Sequence, residues 1–166
     1  MSIENLTTYL NDHLAGSIMA LELIKHAAQP SAGTPLARSL EQLHGEIEED
    51  QTVVRDVLRR LDASENPVKQ AAAWLAEKAG RGKIDASDTS DPLGRLEALE
   101  TLKLGILGKL ALLVALEHVA GEVPALEGLD FPALRRRAQD QHDRVENWRL
   151  EAAREALRPT AAAALP

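Results

Sequence analysis

The 166-residue chain has no cysteine. That rules out disulfides, thiolate metal sites and a cysteine nucleophile, and it suits a reducing cytoplasm. Aromatic residues make up only 2% of the chain, against a hydrophobic share of 45% carried by Ala and Leu. Sheets favour β-branched and aromatic side chains, so this composition points to closely packed helices. The most apolar stretch, Leu104 to Leu116, is too short to span a bilayer and contains Lys109. Residues Met1 to Asn11 lack the basic and apolar regions of a secretory signal. The net charge is −7 with both signs interleaved, and the basic run Arg135-Arg136-Arg137 is followed by Asp140, Asp143 and Glu146. We therefore expect that run to be a solvated surface, with no nucleic-acid partner and no membrane partner.

Four long segments carry helical periodicity. The first runs from Ile3 to Ala28, with a stripe through Ile3, Leu6, Leu10, Leu14, Ser17/Ile18, Leu21 and Ile24. A second stripe beside it contains Tyr9, Gly16, Ala20 and Leu23. The second helix is expected from Pro35 to about Leu61, capped by Thr34, with a stripe through Leu36, Leu40, Leu43, Ile47, Gln51, Val54 and Leu58. The third is expected from Pro92 to Val119 and is apolar nearly all round between Leu104 and Leu116. Such a helix is either the most buried one or faces a partner. The fourth starts at Phe131-Pro132 after Asp130 or Leu129 and runs to about Leu157, with a thin stripe through Leu134, Ala138, Gln141, Val145, Trp148 and Ala152.

Between the second and third segments lies a stretch from Asp62 to Asp91, within which Pro67 to Ala79, capped by Asn66, reads as a short extra helix. Trp74 is expected to seal it onto the bundle. The outer connections are short, so the helices they join should be antiparallel neighbours. The middle one is long enough to return along the whole bundle. The expected fold is all-α: an up-down-down-up four-helix bundle with one long crossover, helices 1 and 4 parallel. One domain is expected over residues 1–158, followed by a disordered tail at 159–166.

On this pattern the chain resembles the ferritin-like superfamily over about residues 3–157, with supporting detail in the segments Tyr9 to Gly16 and Glu46 to Gln51. The resemblance implies a diiron or dimanganese centre built from a Glu on each of two helices and a Glu-x-x-His on each of the others. The residues depart from that pattern. Glu41-Gln42-Leu43-His44 is a literal Glu-x-x-His, but Glu41 lies off the core stripe and His44 on its flank. Helix 4 offers Gln139-Asp140-Gln141-His142, without the Glu, and Glu22, His26, Glu97 and Glu100 all fall on outward faces.

Helical phase leaves three polar residues on the core stripes: His13, Gln51 and Gln141. Pairing the helices in bundle order sets all three at one height, with Asp50 and Lys109 on stripe edges where they can pair. This layer is either a buried hydrogen-bond network that fixes register or a small pocket, a vestigial or single-metal site with His13 and Asp50 as ligands. Tyr9, adjoining His13, is expected in the core or facing a partner. Two functions follow. One is a non-enzymatic bundle that acts by self-association, with a homodimer formed through an apolar helix surface, or by binding another partner. The other is a degenerate ferritin-like metal or redox protein holding iron or manganese.

Overall fold

The structure, a computed structural model, describes residues 3–63 and 89–159. Four long helices account for most of them: α1 (Ile3–Ala28), α2 (Pro35–Arg60), α3 (Pro92–Val119) and α4 (Phe131–Leu157). No strand occurs among the described residues. No helix there is long and apolar enough to cross a membrane. The short helix expected at Pro67 to Ala79, Asn66, Trp74 and the tail from Thr160 onward lie outside the described residues.

The helix starts follow from local chemistry. Each of α2, α3 and α4 places Pro in its first turn, where the missing N–H is not needed. Each is preceded by a side chain that accepts from an otherwise unpaired amide. Thr34 Oγ1 accepts from Ala37 N at 3.2 Å, and Asp130 Oδ1 accepts from Ala133 N at 2.9 Å. Asp91 Oδ2 takes both Leu93 N (3.1 Å) and Gly94 N (3.3 Å). Between α1 and α2 the chain turns through a 3₁₀ segment at Gln29–Ser31 and then Gly33, whose φ of 79° is left-handed and costs a glycine little. Gly128, at φ 78°, serves the same purpose ahead of α4.

The apolar faces meet in two stacked clusters. One gathers Ile24, Leu40, Leu43, Leu99, Leu102 and Val145, with Trp148 packed against it. The other gathers Leu10, Leu14, Val57, Leu58, Leu112, Leu116, Leu126 and Phe131. The second cluster thus draws on the N-terminal halves of α1 and α4 and the C-terminal halves of α2 and α3. Pairs α3–α4 and α1–α2 pack most closely, α1–α3 less so, and α2–α4 least of these. Ion pairs between α3 and α4 join Arg95 to Glu155 (2.8 Å), Lys103 to Glu146 (2.7 Å) and Arg135 to Glu117 (3.3 Å). One helix's number rises as the other's falls, which marks an antiparallel pair.

One expectation about faces needs correcting. Ile3, expected on the α1 core stripe, is 58% exposed because it opens the helix beyond the end of the lower cluster. The α3 helix buries Leu99, Ile106 and Leu113 but leaves a second apolar face in solvent, with Leu104 63% and Val114 51% exposed.

Candidate functional site

The most buried polar group of the bundle is Gln141, which is 0% exposed at the middle of α4. It sits one helical turn from Ala138 and Val145, both buried, so the thin apolar stripe of α4 carries its carboxamide into the interior. An amide there must find partners or cost about 1–3 kcal/mol. Gln141 finds two. Its Oε1 accepts from the Lys109 ammonium, and its Nε2 donates to Asp50 Oδ2 at 3.4 Å. Lys109 Nζ also donates to the same Asp50 oxygen at 2.6 Å. The other Asp50 oxygen accepts from the Arg137 guanidinium, which also reaches Glu49 Oε2 at 3.0 Å. Helices α2, α3 and α4 each contribute to this knot.

A second charged group extends it along the α2–α4 seam. Arg144 donates to Glu46, and Gln42 Nε2 donates to Glu46 at 2.8 Å. Burial pushes the Glu46 carboxyl up, but the hydrogen bonds from Arg144, Gln42 and Gln141 outweigh it and leave the group below its ordinary value. Burial acts the other way on Lys109. It drives the ammonium down, Asp50 opposes the change, and burial wins. Below the Lys109–Asp50 pair lies a cavity of about 30 Å³ walled by Leu10, Val54, Val57, Leu112 and Phe131. That is room for about one water molecule, too small for an organic ligand.

The structure brings together three of the residues picked out from the sequence, Asp50, Lys109 and Gln141, and separates the others. Gln51 is 5% exposed, but it donates through Nε2 to Ser17 Oγ at 2.9 Å, and Ser17 Oγ in turn donates to Leu14 O at 2.7 Å. It therefore ties α2 to α1 and makes no bond to Gln141. His13 is half-buried and joins neither group. Its ring packs edge-on against Tyr9, with centroids 4.7 Å apart. It also lies beside Gly108, where a Cβ would stand 4.0 Å from His13 Cε1. Burial lowers the pKa of His13, and Asp12 partly offsets this. Tyr9 itself is 38% exposed.

Arg137 departs from the expectation of a purely solvated basic run. It lies one turn before Gln141 on the same side of α4, and its long side chain folds back onto Glu49 and Asp50. Neither Glu46, which figures only in the segment Glu46 to Gln51 of the ferritin-like resemblance, nor Arg144 is among the site residues expected from the sequence. Both lie beside the apolar stripes, where the direction of a Cβ does not show where a long side chain will end.

The diiron centre implied by the ferritin-like resemblance can be tested on the donors. Among the described residues no group of three or more His, Asp or Glu side chains is placed to hold a metal ion. The Glu41 side chain is exposed, His44 lies 3.4 Å from Glu48, and His142 lies 2.9 Å from Asp143 on the outer edge of α4. Glu22 pairs with Lys25 at 2.7 Å on the outside of α1. Asp50, at the centre, is held by two cationic side chains, and Glu46 beside it by Arg144. These residues do not fit a two-metal carboxylate centre. No family model, curated protein or solved structure matches the chain.

Proposed function

We propose that the chain is a non-enzymatic helical bundle of ferritin-like, up-down-down-up order that works by protein–protein association through the outer face of α3. Cluster membership supports the order, since the same ends of α1 and α4 share one layer with the opposite ends of α2 and α3. On this reading the Lys109 and Arg137 cations take the central place that metal ions occupy in an active ferritin-like bundle. Their charge neutralises Asp50 and fixes the register of α2, α3 and α4. The cavity of about 30 Å³ beside the Lys109–Asp50 pair is too small for an organic substrate.

The observation that carries the reading is the apolar row Leu104, Leu107, Ala111 and Val114, all exposed on a helix that already buries its opposite face. Two apolar faces on one helix call for packing on both, and among the described residues α1 and α4 cover only the inner one. Sedimentation equilibrium of the purified chain should show concentration-dependent association, and Leu107→Glu should abolish it without loss of helicity. A strictly monomeric profile at high protein concentration would remove the proposal.

A further inference from the structure

The exposed face of α3 is not a random scatter of apolar residues. Glu100, Leu104, Leu107, Ala111, Val114 and His118 follow one another at alternating steps of four and three residues, and all are exposed. That is the spacing of a coiled-coil seam, which keeps one line of side chains facing a partner helix. The seam has apolar residues at its middle, an acid towards its N-terminal end and an imidazole at its C-terminal end.

Resting on the reading of this face as an association surface, we infer that its partner is a second copy of the same chain, with the two α3 helices antiparallel about a two-fold axis between Leu107 and Ala111. Each seam residue then finds its complement in the same seam. Leu107 faces Ala111 of the other copy, so a large side chain meets a small one. Leu104 faces Val114. Glu100 faces His118 at both ends, an acceptor against a ring N–H. A two-fold axis makes every contact occur twice, which is the requirement of an isologous interface. The parallel alternative would set Glu100 on Glu100 and His118 on His118, placing like groups against each other at both ends. The end residues therefore select the antiparallel register.

The absence of cysteine makes a direct test available, because any introduced thiol is the only one. Leu104→Cys and Val114→Cys chains are mixed in equal amounts and oxidised, and the linked peptides are identified by mass. The inferred register gives the mixed 104–114 disulfide as the main product. Each variant alone should give almost none, because its two thiols lie about 15 Å apart along the axis. Strong disulfide formation by Leu104→Cys alone would overturn the register in favour of a parallel pair. A sedimenting dimer with no cross-link through either position would place the interface elsewhere and overturn the inference. A monomer would remove the underlying reading as well. Charge exchange gives a second readout: Glu100→Lys or His118→Glu alone should raise the dimer Kd about tenfold, and the double variant should return it to within about threefold of the parent. Failure of the double variant to recover overturns the end pairing.

Discussion

Replacing Lys109 by Met keeps the aliphatic stem and removes the ammonium, which isolates what that charge does in the core. Three changes follow. Gln141 Oε1 loses its donor at a position that is 0% exposed, which costs about 1–3 kcal/mol. Asp50 loses one of its two cations but keeps Arg137, so it escapes the full penalty of an unpaired buried charge, about 3–5 kcal/mol. Against these, the desolvation of the ammonium itself is relieved. The expected net loss is about 2 kcal/mol, a fall of about 1 M in the urea midpoint for a chain of this size. Circular dichroism at the helical band during urea titration reads it directly. Adding Gln141→Leu removes the orphaned acceptor, so the double variant should recover most of the loss.

A pH series adds an independent check on the same residue. Lys109 has a folded pKa below its ordinary 10.5, so over the interval between them the unfolded chain holds the proton more tightly. The ammonium's burial penalty applies in full below the folded pKa and fades as pH rises through that interval. Lys109 thus makes stability rise with pH on the alkaline side, and Lys109→Met should lack that rise. A Lys109→Met chain within about 0.5 kcal/mol of the parent, with strictly additive behaviour in the double variant, would refute the view that the knot is a coupled unit.

His13 should behave in the same sense on the acid side. Burial lowers its folded pKa below the ordinary 6.5, so its contribution falls as pH drops below about 6.5 and is lost beneath the folded value. Stability curves of the parent and His13→Leu should therefore differ in slope across that window, and parallel curves would show that the ring is not desolvated. Thr34→Ala, which removes the cap on Ala37 N, should cost about 1 kcal/mol by urea titration, and a neutral result would mean that the amide is equally well served by water. Metal analysis of protein purified without chelator should show no stoichiometric iron, manganese or zinc. Stoichiometric metal, or a stability gain on adding one, would overturn the assignment of the central charges to Lys109 and Arg137.

The helices were legible because their ends carry explicit chemistry. Thr34-Pro35 and Asp130-Phe131-Pro132 mark starts that need no tertiary information. The pairing of Asp50 with Lys109 was also within reach, since both sit at stripe edges on helices whose relative height follows from connection lengths. His13 shows the limit of that reasoning. Height along the bundle can be counted in residues, but rotation about the helix axis cannot be fixed to better than a side-chain width. The His13 ring lies against Gly108 of α3 and edge-on to Tyr9, and it shares no bond with Gln51 or Gln141. Ser17 falls on an apolar stripe by helical phase, and its hydroxyl is the partner of Gln51. The acidic residues that follow the basic run point to a solvated Arg137, whereas its guanidinium reaches Asp50.

The middle of the α2–α4 seam is closed by Arg137 and Arg144 gripping Glu46, Glu49 and Asp50 rather than by interlocking aliphatic side chains. Cohesion there depends on ionic strength more than at the α3–α4 pair, whose three ion pairs accompany much closer helix packing. Concentrated salt weakens this seam while strengthening the apolar layers, and guanidinium chloride weakens both where urea leaves the charges unscreened. The domain should therefore part along this line first, into two helical hairpins. Amide exchange on α2 and α4 residues bordering the seam would then quicken with added salt before the rest of the fold responds.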